Sequence, residues 1–133
     1  DFTKGKPQVA SIDVSFISLK LILPPLKDIL EMDGDVLVLI KPQFEAGRER
    51  IGKKGIVSDP KVHQDVLEEI LEYCEQIGFS VNQLTFSPIT GGSGNIEFLA
   101  HLQLHETVTS SYDWKTGIHS VVKEAHQQLK NLK

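Results

Sequence analysis

Asp35-Val36-Leu37-Val38-Leu39-Ile40-Lys41 is the stretch that decides the fold. Its five central residues are apolar without alternation, and three of them are β-branched. A strand apolar on both faces is what the middle of a parallel, helix-covered sheet requires. The turn signal Asp33-Gly34 precedes it and Lys41-Pro42 ends it. Open α/β sheets bind ligands in the crevice beyond the carboxyl ends of their strands. Lys41 sits at such an end.

Upstream, Val9-Ala10-Ser11-Ile12 reads as a short buried strand ending at Asp13. Residues 15–31 carry Leu19, Leu23, Leu26, Ile29 and Leu30 at helical spacing, with Pro24 and Pro25 expected to kink or restart the helix. Downstream, residues 42–58 form a long connection with three glycines, a length that marks a functional or mobile loop. Asp59-Pro60 supplies an N-cap and a first-turn proline, and Gly78 a stop. Between them Val62, Val66, Leu67, Ile70, Leu71, Cys74 and Ile77 form one apolar stripe. Phe79 to Phe86 is a further strand. After the turn Thr90-Gly91-Gly92-Ser93-Gly94-Asn95, the residues Ile96, Phe98, Ala100, Leu102 and Leu104 alternate along a returning strand. Residues 105–112 are polar and expected as a linker to a helix over about 113–132. The reading is an α/β fold with a mostly parallel sheet closed by an antiparallel hairpin strand: one unit over 1–104, then a linker and amphipathic helix over 105–133.

The 133 residues are enough for one domain with a real core, and 40% hydrophobic with 24% charged is ordinary for a soluble globular chain. The single Cys74 excludes an internal disulfide and suits a reducing, cytoplasmic setting. No apolar run approaches the roughly 20 residues needed to cross a bilayer as a helix. The net charge of −4 hides a contrast. Lys41, Arg48, Arg50, Lys53 and Lys54 face two acids in one loop, whereas Asp59, Asp65, Glu68, Glu69, Glu72 and Glu75 crowd the next helix. A basic loop beside a site can supply phosphate contacts on an acidic protein, or it can be a solvated surface.

Three charges converge in this topology. Asp13 and Lys41 end neighbouring strands, and Glu97 opens the strand that returns to the same edge. A lysine flanked by two acids suits proton transfer, with a structural ion-pair cluster as the plainer alternative. The five histidines and one cysteine show no metal-ligand spacing, so no metal is expected. His101 and His105 read as surface residues. Phe44 could stack on a base or face the core.

Three blocks carry a family resemblance: Asp13-Val14-Ser15-Phe16-Ile17-Ser18-Leu19, Lys41-Pro42-Gln43-Phe44-Glu45-Ala46-Gly47-Arg48 and Gly94-Asn95-Ile96-Glu97-Phe98. Together they resemble the TlyA (hemolysin A) family of FtsJ-like S-adenosylmethionine-dependent RNA methyltransferases, over roughly residues 9–104. The resemblance implies a partial Rossmann-like methyltransferase fold and transfer of a methyl group to a ribose 2′-hydroxyl of ribosomal RNA. It implies Asp13, Lys41 and Glu97 as catalytic residues and Asp13 beside the cofactor. Arg48, Arg50, Lys53 and Lys54 are then candidates for RNA phosphates. The family's RNA-binding front domain, glycine-rich cofactor loop and first catalytic lysine have no counterpart in these residues. The chain opens at Asp1, and its only methionine is Met32. It is therefore expected to be the second half of a methyltransferase domain, inactive alone and prone to self-association through an exposed sheet edge. The alternative is a non-catalytic RNA- or protein-binding module. Nothing in the residues favours a pore-forming cytolysin.

Overall fold

The computed structural model describes residues 5–90 and 94–130. Its elements run β1 (Val9–Ile12), α1 (Leu19–Ile29), β2 (Asp35–Ile40), α2 (Pro42–Glu45), α3 (Pro60–Gln76), β3 (Phe79–Phe86), β4 (Phe98–Leu104) and α4 (Trp114–Lys130). Short 3-10 turns at Arg48–Arg50 and Lys53–Gly55 break up the 42–58 connection, which is thus a structured loop.

The four strands form one mixed sheet in the order β1-β2-β4-β3. β1 pairs parallel to β2, while β4 pairs antiparallel to both β2 and β3. The expected mostly parallel sheet is therefore corrected in one respect. The hairpin strand does not close an edge but enters between β2 and β3, which makes two of the three pairings antiparallel. The register sets Ile12 opposite Val38 and Ile40 opposite Phe98. The residues just beyond these pairs, Asp13, Lys41 and Glu97, consequently share one edge.

One sheet face carries Val36, Val38, Ile40, Phe98, Ala100, Leu102 and Leu104, all buried in a common core with helix residues such as Leu23, Leu67, Ile70, Ile118 and Val122. The alternate residues Leu37 and Leu99 are 42% and 37% exposed, so the helices cover that first face. β2 is thus apolar on both faces but buried on only one. β1 is an edge strand, and its Val9 is exposed.

Helix α1 begins at Ser18, whose hydroxyl accepts the Lys20 amide, three residues later than the apolar spacing suggested. Leu19, Leu23 and Leu30 are buried as expected, whereas Ile29 faces outward. Pro24 and Pro25 lie inside the helix without ending it. Pro24 has no N–H for the Lys20 carbonyl four residues back. The Tyr73 hydroxyl from α3 donates to that carbonyl instead, at 3.2 Å. Helix α3 follows its signals: Asp59 caps it, Pro60 opens it and Gly78, at φ 110°, ends it. Burial pushes the Cys74 thiol up to about 12, which leaves it an inert core residue.

The polar stretch after β4 does not behave as a loose linker. Ser110 accepts the Val81 amide and the Tyr112 amide donates to the Val81 carbonyl, so this segment satisfies the open edge of β3. Glu75 then accepts from both Ser110 and the Trp114 indole, anchoring α4 on α3. Trp114, Ile118, Val122 and Ala125 join the main core.

Candidate active site

The site is built from strand ends. Lys41 precedes Pro42, and a residue before proline is pushed to extended backbone. Its φ of −111° and ψ of 99° comply, ending β2 and starting α2. Lys41 Nζ lies 2.5 Å from Asp13 Oδ1 and donates to Ser15 Oγ at 3.2 Å. The lysine side chain is 12% exposed and the aspartate 66%, so the pair leaves a second carboxylate oxygen open to a ligand. Glu97 is buried at 7% exposure and accepts from Gln43 Nε2 at 3.0 Å. Among the described residues it forms no ion pair with Lys41. The structure therefore brings the three charges to one edge but couples only Asp13 directly to the lysine.

A cavity of about 390 Å³ opens between them. Lys41, Glu97, Gln43, Asn95, Ser15, Phe16, Phe44, Ile51, Lys54 and Gly55 form its wall, and Asp13 reaches it through Lys41. Phe16, 89% exposed and left-handed at φ 67°, rests against Phe44 with ring centroids 4.9 Å apart. A bulky residue in that backbone region is strained, and such strain gathers at functional sites. Phe44 is thus neither core nor bare surface but the base of an aromatic pair at the cavity mouth.

The loop residues divide. Arg48 is exposed. Arg50 donates to the Ala46 carbonyl and pairs with Asp65 at 3.2 Å, so the acidic helix is not remote from the basic loop. Lys54 lines the cavity. The Lys53 side chain and the Gly91–Ser93 part of the glycine-rich turn lie outside the described residues. Glu45, counted with the loop's acids, instead accepts from the Ser18 hydroxyl and the Leu19 amide at the start of α1. Burial raises its carboxyl above the ordinary range, and those two hydrogen bonds pull it back.

Sequence reasoning passed over Gln43, Asn95 and the pair His63–His126. His63 is fully buried and hydrogen-bonded at both ring nitrogens. Burial first, and His126 second, lower it to about 4. His101 and His105, expected on the surface, are half-buried and bonded to Asp35 and Ser80 respectively. Ser80, His105 and Asp33 have the residue types of a hydrolase triad, but Ser80 is fully buried and its hydroxyl accepts the Thr109 amide. It cannot meet a substrate. The described residues hold no group of three or more metal-ligating side chains, and no described helix is long and apolar enough to cross a membrane.

Comparison with known proteins shows the family to which the chain belongs. The FtsJ-like methyltransferase family matches residues 1–104. YqxC of Bacillus subtilis is 54% identical over 134 positions, covering all of this chain and 48% of its own length. The 16S/23S rRNA (cytidine-2′-O)-methyltransferase TlyA of Mycobacterium tuberculosis is 30% identical over 121 residues, 90% of this chain and 45% of TlyA. A solved structure of a hemolysin-named protein from Streptococcus thermophilus superposes with a TM-score of 0.93 at 53% identity, covering 98% of this chain and 46% of that one. The chain spans about half the length of these relatives. It belongs to the FtsJ-like methyltransferase family, among the TlyA/hemolysin A proteins.

Proposed function

We propose that this chain forms the substrate-facing half of a methyltransferase site acting on a ribose 2′-hydroxyl of ribosomal RNA. The observation that carries the proposal is the convergence of Lys41, Asp13 and Glu97 at the ends of three strands, with Lys41 and Glu97 in the wall of one cavity, Asp13 paired to Lys41, and an aromatic pair at the cavity mouth. TlyA of Mycobacterium tuberculosis bears the name of that activity.

The family uses S-adenosylmethionine, which when bound supplies an electrophilic methyl group. Of the described residues, Asp13 fits its cationic end, because one carboxylate oxygen is open beyond the Lys41 pair. The described residues offer no further cradle for the cofactor, which would rest mainly on elements outside them. The attacking 2′-oxygen must shed its proton as the O–C bond forms. Lys41 Nζ, held by Asp13 Oδ1 and Ser15 Oγ, is the group placed to receive that proton. Glu97, fixed by Gln43, shapes the opposite wall. Phe16 on Phe44 offers a face on which an unstacked base can rest. Lys54 and Arg48 meet phosphates at the rim, with Arg50 partly committed to Asp65. The open β1 edge is the surface through which the isolated chain self-associates.

The test is nucleoside analysis of ribosomal RNA from cells with and without the intact gene. Loss of a ribose-methylated nucleoside on deletion, restored by the gene, supports the reading. An unchanged nucleoside profile overturns it.

A further inference from the structure

The turn that brings Lys54 to the cavity is strained and is held from behind. Lys54 and Gly55 are consecutive left-handed residues, at φ 64° and 73°. A lysine there persists only where its surroundings fix it. Asn95, 2% exposed, grips the next stretch of backbone from both sides. Its Oδ1 accepts the Val57 amide at 2.9 Å and its Nδ2 donates to the Gly55 carbonyl at 3.0 Å.

The Val57 carbonyl accepts from His63 Nε2 at 2.9 Å. A carbonyl cannot donate, so Nε2 carries the proton and Nδ1 of the neutral ring is an acceptor. His126 Nε2, 2.7 Å from that Nδ1, must therefore be the donor. The polarity of the whole chain follows: His126 on α4 donates to His63 on α3, which donates to the backbone beside the Lys54 turn. A protonated His63 would set two donors against each other, and burial keeps it neutral near pH 7.

We infer that Asn95, His63 and His126 are positioning residues that clamp the Lys54–Gly55 turn against the cavity, so that helix α4 sets where Lys54 meets RNA. Only the last clause rests on the function proposed above. The clamp predicts a local effect that core packing does not. His126→Ala leaves His63 Nδ1 without its donor and frees the turn, while the α3 core stays formed.

Amide hydrogen exchange on this chain tests the clamp directly. In His126→Ala, protection of the Val57 amide should fall at least tenfold, with Ile70 in α3 unchanged. His126→Gln, whose amide can still donate to His63, should restore protection. Equal Val57 protection in wild type and His126→Ala would overturn the clamp, as would a loss spread evenly over Val57 and Ile70. Asn95→Asp gives a second route: it keeps the acceptor for Val57 but sets a carboxylate against the Gly55 carbonyl, and should loosen the same turn. The RNA clause is read by binding of a single-stranded ribosomal RNA segment to the intact protein. His126→Ala and Lys54→Ala should each weaken it about tenfold, and the double variant no more than Lys54→Ala alone. Losses that multiply would sink the coupling. Lost Val57 protection with RNA affinity intact in both variants would sink the role of Lys54 and support the clamp alone.

Discussion

Acid should weaken this fold through His63, and the size of the effect can be worked from its surroundings. The ring is fully buried, accepts from His126 and donates to Val57, and it is lowered from an ordinary 6.5 to about 4. Because the folded value is depressed, the unfolded chain takes the proton first. His63's contribution is fully present above about pH 6.5 and is lost as pH falls through that value toward 4. At about 1.4 kcal/mol per pH unit, the gap amounts to about 3 kcal/mol. That is a large share of the roughly 5–15 kcal/mol that holds a domain together. Burial also lowers His126, which adds in the same direction. The comparison variant is His63→Gln, which can donate to Val57 and accept from His126 but does not titrate. Urea unfolding from pH 7.5 to 4 on both proteins cancels the carboxylate contributions they share. Wild type should lose about 3 kcal/mol more than the variant across that range. Parallel stability curves would refute the reasoning and mean that His63 carries a proton in the folded state or is wet.

Three further outcomes follow from particular contacts. Tyr73→Phe should cost about 1 kcal/mol in chemical denaturation, because the Lys20 carbonyl loses the donor that replaces the missing Pro24 amide; in a Pro24→Ala background the cost should shrink toward zero. Isothermal titration of S-adenosylmethionine into this chain should show weak binding or none, since Asp13 is the only contact this half is assigned; a micromolar constant would move the cofactor site into these residues. In the intact protein, removing Arg48 and Lys54 should each reduce the log–log salt slope of RNA binding by about 0.7, the value for one contact to single-stranded RNA. Arg50→Ala should change it less, because Arg50 is already paired with Asp65.

Much of the candidate site's placement was legible because its residues stand next to strong signals. The apolar run ending at Lys41 and the alternating strand beginning after Glu97 fix the edge they share, and the register aligns Ile40 with Phe98. The Asp59–Pro60 helix start was equally readable, since capping is local chemistry. What escaped was decided across distance. Glu97's partner is Gln43, 54 residues away, and His63 meets His126 across 63 residues; neither spacing has a local signature. The 105–112 stretch read as a polar linker because sequence cannot show that Ser110 and Tyr112 complete the edge of β3. The proline pair in α1 looked like a break, because the rescuing hydroxyl comes from another helix.

The central claim is that Lys41 manages the proton of the accepting hydroxyl. Asp13→Ala should damage both rate and cofactor binding, and Glu97→Gln the rate more mildly. The decisive measurement is single-turnover methylation of ribosomal RNA by the intact Lys41→Met protein, beside a cofactor titration. Methyl transfer should fall below detection while S-adenosylmethionine affinity stays near that of wild type. Lys41→Arg should not rescue, because a guanidinium cannot take a proton at neutral pH. Near-normal turnover in Lys41→Met would contradict the account and return Asp13, Lys41 and Glu97 to a structural role.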